Sequence, residues 1–398
     1  MTIQTQNNNL LKGWRKVKLG EIAYIKMGQS PSSRFYNLQG DGLPFYQGVT
    51  DFGEKYPRKS VYCASPVKIA EAGEILFSVR APVGEVNLAL EKCCIGRGIA
   101  SISMKNGNNE FLYFLLKYYS KYLKGIAGGT TYESIKKDQI ENIELYIPQD
   151  INEQKRIADI LSAFDDKIEL NNKIIKTLEQ MAQEIFKEWF GENSKLKSQE
   201  SKCWVTLKIS DLAWIVSGYP FSSRLYNKNK KGLGVVTIKN VQDGNFITEC
   251  DSFIEEEKIP KNMDQDCYIS DGDILLSLTG NVGRVCFVYG GKYLLNQRVA
   301  KIKPKNKNDL AFIYFFFRQP SIQNLLINMA KGSAQPNLSP VETGEIEITI
   351  PIRENLDKLN EIMNPLYEKL IQLKVENQTL AALRDLLLPK LMSGEIRV

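Results

Sequence analysis

No histidine occurs anywhere in the 398 residues. That absence excludes Ser-His-Asp and Cys-His nucleophiles, a histidine general base and histidine metal ligands. The seven cysteines (63, 93, 94, 203, 250, 267, 286) are odd in number and never spaced Cys-x-x-Cys. They predict free thiols in a reducing cytoplasm rather than a zinc site or a disulfide framework. Long apolar runs are missing too. The longest, Leu310 to Phe317, falls far short of the roughly 20 residues that span a bilayer. The N-terminal MTIQTQNNN is polar and uncharged, which predicts a disordered tail rather than a secretory signal.

Catalytic patterns are equally scarce. The one Gly-Lys pair, Gly291-Lys292, is followed by Tyr293, so no nucleotide phosphate loop is present. No two prolines are adjacent, which removes the Asp/Asn-Pro-Pro-Tyr/Phe run of an adenine methyltransferase. Gly96-Arg97-Gly98 resembles a fragment of a dinucleotide loop that nothing completes, and tight turns account for it. Asp264, Asp266, Asp271 and Asp273 form an acidic cluster. A carboxylate-based nuclease is one reading of it; a surface turn before a strand is the simpler one.

What is present is a duplication. Trp14 opens WRKVKLGEIAYIKMGQSPSSRFYN and Trp204 opens WVTLKISDLAWIVSGYPFSSRLYN. Gly28, Ser33, Arg34 and Tyr36 recur as Gly218, Ser223, Arg224 and Tyr226. Gly73-Glu74-Ile75-Leu76 matches Gly272-Asp273-Ile274-Leu275, Val83-Gly84 matches Val282-Gly283, and Ile147-Pro148 matches Ile350-Pro351. The widening offset places small insertions in surface loops of the second copy.

Each copy runs into a long helical stripe. The first holds Ile157, Leu161, Phe164, Ile168, Asn171, Ile175 and Leu178, continuing through Ala182 to Ile185 and Trp189. The second holds Leu356, Leu359, Met363, Leu366, Leu370, Leu373, Asn377 and Leu380. A sustained 3.5-residue period predicts a coiled-coil seam, with one register-fixing Asn in each stripe. Two separate amphipathic helices, each packed on its own domain, are the alternative. The expected fold is therefore α+β: two tandem α/β domains (1–150 and 196–352) and two long antiparallel helices (151–195 and 353–398) in a pseudo-two-fold arrangement. Phe312, Tyr314, Phe315, Phe316 and Phe317 could pass for a base-stacking platform, but as a dense aromatic helix they predict core.

Charge follows the same division. Residues 1–150 carry 19 basic and 14 acidic side chains and residues 201–350 carry 18 and 15. Residues 151–200 carry 8 and 10, and 351–398 carry 7 of each. The net +6 thus belongs to the globular copies, and two basic modules on a rigid spacer suit a long polyanion such as duplex DNA.

Several stretches resemble the specificity subunits of type I restriction-modification systems. They are Ser78-Val79-Arg80-Ala81-Pro82-Val83-Gly84, Leu278-Thr279-Gly280-Asn281-Val282-Gly283, Leu295-Asn296-Gln297-Arg298-Val299-Ala300, Glu153-Gln154-Lys155-Arg156-Ile157-Ala158, and the tail Thr379 to Leu391. The resemblance covers nearly the whole chain and its order of module, helix, module, helix. It implies two target recognition domains, each reading half of a bipartite double-stranded DNA site, with the helices as a ruler for the gap. It further implies a cytoplasmic, non-catalytic chain. Its partners would be two methyltransferase subunits bringing S-adenosylmethionine and restriction subunits using ATP and Mg, with no cofactor of its own and no membrane. A self-sufficient DNA-modifying enzyme and a coiled-coil adaptor without a DNA role are the alternatives.

Candidate DNA contacts follow from the repeat. Ser33, Arg34, Tyr36 and Ser223, Arg224, Tyr226 recur in both copies, so they suit phosphates rather than bases. Arg80 and Thr279-Asn281 lie at matched strand ends, with Arg97 and Gln297-Arg298 in the next stretch. Thr130, Thr131, Ser333 and Gln335 sit in Gly-containing loops. Base readers are expected where the copies diverge, as at Arg58, Gln242 and Asn245. For each of these residues a structural turn or cap is the competing role.

Overall fold

The computed structural model describes residues 13–127, 134–190, 203–330 and 337–398. Two compact units divide the chain, 1–168 with 380–398 and 169–379. Each therefore takes one α/β module with a stretch of each long helix.

In unit 1, Trp14–Lys18 pairs antiparallel with Glu144–Pro148, tying the start of the module to its end. A four-stranded sheet follows in the order Ala23–Met27, Ile99–Met104, Ile75–Ser78, Val86–Leu88. Unit 2 repeats both features. Trp204–Lys208 pairs with Glu347–Pro351, and the sheet runs Ala213–Ser217, Val299–Pro304, Ile274–Ser277, Val285–Phe287. Both units also contain a parallel strand pair, Leu43–Tyr46 with Cys93–Ile95 and Leu233–Val236 with Tyr293–Leu295. The duplication read from sequence is a duplication of topology.

A glycine leads into the same strand of each four-stranded sheet. Gly73 and Gly272 take φ of 80° and 87°, a left-handed turn that leads into Ile75–Ser78 and Ile274–Ser277. Their residues are buried on both faces, between the neighbouring sheet and a helix, so they read as apolar runs without alternation. The covering helix is Asn109–Ala127 in unit 1; in unit 2 it is Leu310–Phe317 followed by Pro320–Ala330. The aromatic run Phe312 to Phe317 is entirely core, with Phe312 stacked on Phe186 at 5.8 Å.

Each long helix is continuous over 40 residues, Ile151–Phe190 and Arg353–Met392. They pair antiparallel: Asp165 meets Arg384 in unit 1, and Asn171 meets Asn377 in unit 2. Ile157, Leu161, Ile168, Asn171, Ile175, Leu359, Met363, Leu370 and Leu373 are buried, while Phe164, Leu178, Leu366, Asn377 and Leu380 are half-buried. Beyond Ala182 the buried side moves to Phe186, leaving Ile185 and Trp189 only partly covered. The cause is that this end of the helix packs on the module's aromatic helix and no longer follows the 3.5-residue seam. The stripes thus serve helix and module together, combining the two arrangements that periodicity left open.

All seven cysteines are free thiols, and burial pushes Cys93 up to about 12 and Cys94 up to about 11. Among the described residues no helix is long and apolar enough to cross a membrane.

Candidate nucleic-acid interface

The first strand of each four-stranded sheet ends on a glycine that must lie flat against the neighbouring turn. A Cβ on Gly28 would sit 2.3 Å from the Gly96 carbonyl oxygen, and one on Gly218 2.3 Å from that of Leu295. This close approach draws the loop after the first strand onto the turn at 96–98 or 296–298. In unit 1, Ser30 Oγ accepts from the Arg97 amide at 3.2 Å, and a Cβ on Gly98 would meet the Gln47 carbonyl at 2.1 Å. In unit 2, the Tyr219 amide donates to Leu295 and the Gln297 amide to Tyr219, at 2.8 and 3.2 Å.

The end of the neighbouring strand completes the cluster. Val79 donates to Gly98 and accepts from Ile135, both at 2.9 Å, while Arg80 bridges to Ser134. Leu278 donates to Arg298 and accepts from Leu338, and Thr279 bridges to Asn337. One end of each module thus gathers Arg80 with Arg97, or Thr279 with Gln297 and Arg298, beside the chain returning from the Gly-containing loop. The register refines the sequence match. Arg97 corresponds to Gln297, and Arg298 to Gly98, because the paired strands Ile99–Met104 and Val299–Pro304 are offset by one residue more than the strands beside them.

Ser33, Arg34, Arg58, Arg80, Arg97, Ser223, Arg224, Asn245, Asn281, Gln297 and Arg298 are exposed. Several others are already engaged. Tyr36 donates to the Pro31 carbonyl at 2.9 Å and packs on Phe45, and Tyr226 accepts from Asn296, so these tyrosines brace their loops. Burial raises both phenols above their ordinary value. Arg34 lies over the Phe35 ring at 4.7 Å. Asn245 accepts from Lys374 at 3.3 Å; Gln242 donates to the Lys239 carbonyl at 3.0 Å and accepts from Arg284. Thr279 Oγ1 is buried with no hydrogen-bond partner. Thr130, Thr131, Ser333 and Gln335 lie outside the described residues.

The acidic cluster has structural employment. Asp264 caps a turn through the Asp266 amide, and Asp271 accepts from Gly291. Asp266 pairs with Lys303 at 2.8 Å and Asp273 with Lys301 at 2.9 Å. These are the duties of a surface turn.

Sequence reasoning passed over Arg284. It stands where unit 1 has Glu85, one residue beyond the matched Val-Gly pairs. That reversal of charge inside a matched stretch was the available signal.

Two segments of the chain, 11–180 and 201–382, match the family model described as type I restriction modification DNA specificity domain. The type I restriction enzyme MjaIX specificity subunit of Methanocaldococcus jannaschii is 29% identical over 99% of this chain and 96% of that one. The putative MjaX specificity subunit of the same organism is 41% identical, over 43% of this chain and 41% of that subunit. The HindI specificity subunit of Haemophilus influenzae is 28% identical over 72% of this chain and 77% of its own length. The crystal structure of the S subunit from M. genitalium shares the fold, with a TM-score of 0.66 over 98% of both chains at 21% identity. With both copies of its duplication matched, the chain belongs to the type I restriction-modification DNA specificity family.

Proposed function

We propose that this chain is the DNA-specificity subunit of a type I restriction-modification complex. Each unit reads one half of a bipartite site in double-stranded DNA. The chain itself performs no chemistry: two methyltransferase subunits supply S-adenosylmethionine, and restriction subunits supply ATP- and Mg-dependent cleavage. The observation that carries the reading is that two modules of one topology present matched strand ends with different exposed side chains, Arg80 and Arg97 against Gln297 and Arg298. A shared frame with divergent contacts suits two different base sequences read by one protein. The continuous helices suit a spacer, since removing one heptad from each takes away about 10 Å, or roughly three base pairs.

The test is to express the chain with its methyltransferase partner in a host and map methylated adenines across the genome. The expected result is a bipartite motif with a fixed unread gap that requires both proteins and shortens with the heptad deletion. Methylation by the purified chain alone, or a motif that does not depend on it, would overturn the reading.

A further inference from the structure

The loop after the Gly-entered strand, Ile75–Ser78 or Ile274–Ser277, is built alike in the two units and carries different side chains. In unit 1, Ser78 Oγ donates to the Pro82 carbonyl at 2.7 Å and accepts from the Glu85 amide at 2.8 Å. In unit 2, the Ser277 hydroxyl donates to the Asn281 carbonyl and accepts from the Arg284 amide at 3.0 Å. The backbone closes the same way, Gly84 donating to Ser78 at 3.0 Å and Gly283 to Ser277 at 3.1 Å. Gly84 and Gly283 hold matching φ of 91° and 83°. On this common frame Arg80, Ala81, Pro82 and Glu85 are replaced by Thr279, Gly280, Asn281 and Arg284.

Arg284 is held in place. Gln242 Oε1 accepts from its Nη1, and Gln242 is itself anchored to the Lys239 carbonyl. The Asn281 carboxamide, its oxygen turned to the guanidinium, accepts from Nη1 and Nη2 at 3.2 Å each. Gln242 comes from the Val241–Gln242/Asn245–Phe246 hairpin, which has no paired counterpart among the described strands of unit 1. The guanidinium lines an open cleft of about 360 Å³ with Asp243, Asn281 and Gln323, and Gln323 donates to Asp243 at 2.8 Å. Guanidinium, carboxylate and carboxamides are the side-chain types that distinguish base edges by hydrogen bonding.

We propose that Arg284 is a specificity-determining residue of unit 2 that reads a guanine edge, with Gln242 and Asn281 as its positioning residues. A phosphate contact belongs to the common frame of both units, yet the matching position in unit 1 is Glu85, whose carboxylate repels phosphate. A planar fork fixed by two carboxamides keeps further N–H donors for guanine O6 and N7 and loses little side-chain freedom on binding. The inference rests on the proposed function.

The test maps methylated adenines in hosts carrying the methyltransferase partner with the parent chain, R284A or R284K. The parent chain is expected to give a bipartite motif containing a guanine in the half read by unit 2. Both variants should lower discrimination at that single guanine by about 5- to 150-fold and leave the other half unchanged. R284K keeps charge and most of the volume, so it decides the matter should R284A fail to fold. An unchanged motif, or methylation that weakens evenly at every position, overturns the role of Arg284. Absence of any bipartite motif with the parent chain overturns the proposed function instead.

Discussion

The two units pin the same helix pair with different chemistry. In unit 1, Arg384 lies 2.5 Å from Asp165, and their side chains are 8% and 3% exposed. Asp385 and Glu54 add carboxylates at 2.9 and 3.9 Å. In unit 2, the crossing is an amide pair. Asn171 donates to Asn377 at 2.9 Å and to Glu376 at 3.1 Å, and Asn377 donates on to Asn172 at 2.9 Å. The modules differ in a matching sense. Tyr113 and Tyr314 are equivalent buried phenols, each with a cation four residues on, Lys117 and Arg318. Arg318 finds its counter-charge on the central helix, at Glu179, 3.5 Å away. Lys117 lies near Asp165 and Arg384, and burial lowers its pKa. The cation beside the buried tyrosine thus pairs with the central helix in unit 2, whereas in unit 1 Arg384 of the second long helix takes the central-helix carboxylate Asp165. The general lesson is that duplication preserves the frame while the buried polar contacts are settled anew in each copy.

The largest effect is expected at Arg384. Replacing it with Met leaves Asp165 buried without its partner, and its Oδ2 already has no hydrogen bond. The cost should be about 3–5 kcal/mol. Pairing Arg384→Met with Asp165→Leu should recover most of that loss, because the desolvation cost of the carboxylate goes with it. Native-state hydrogen exchange of the amides around 157–168, compared with those around 171–178, measures the effect within unit 1. Equal loss of protection in both stretches would show that the charge pair does not act locally.

How much of this was legible in the sequence depends on the kind of contact. Strand ends, Gly turns and the aromatic core could be read because a repeated pattern or an apolar run leaves little choice. Asn171 and Asn377 were legible as polar residues at regular seam positions, and the structure brings the two together. Arg384 continues the same stripe four residues after Leu380, but a charged residue there reads as the end of a seam. Its partner, Asp165, sits beside the seam residue Phe164, so nothing in the period marks it. The side-chain partners of the candidate contacts were not legible. Arg34, Arg80 and Arg97 are exposed, whereas Gln242 holds Arg284. Which carboxamide faces solvent and which faces a neighbour is decided by a hairpin that brings together residues 42 apart, which spacing alone does not encode.

A smaller effect is expected at the amide pair. Asn171→Leu removes the donor from both Asn377 and Glu376, at a cost of about 1 kcal/mol, near the low end for a buried hydrogen bond because Asn377 is half-exposed. Replacing both Asn171 and Asn377 by Leu should restore stability while loosening register, since an apolar pair tolerates sliding where two amides do not. Hydrogen exchange reads the first outcome. A cysteine cross-link placed at one register, forming less completely in the double variant, reads the second. A single-site cost as large as that of Arg384→Met would erase the contrast between the units.

The smallest effect is expected on the strand pair that closes each module, where each unit carries one exposed ion pair. Lys16 meets Glu144 at 2.6 Å and Lys208 meets Glu345 at 2.5 Å, all four well exposed. The hydrogen bond to the carboxylate raises each lysine above its ordinary 10.5. A raised lysine pKa means the contribution is fully present below 10.5 and fades as pH climbs through the higher folded value. Solvent and salt screen such pairs, so Lys16→Gln and Lys208→Gln should shift unfolding midpoints slightly at low salt and neutral pH, and not at all in 1 M salt. The pairs stand at different places on a shared frame, since Lys208 matches Lys18, which donates to Asn142 at 3.0 Å, and Lys16 matches Thr206; both shifts should be small because exposure limits each. A clear loss in one unit alone would show that the position of the pair counts for more than its exposure.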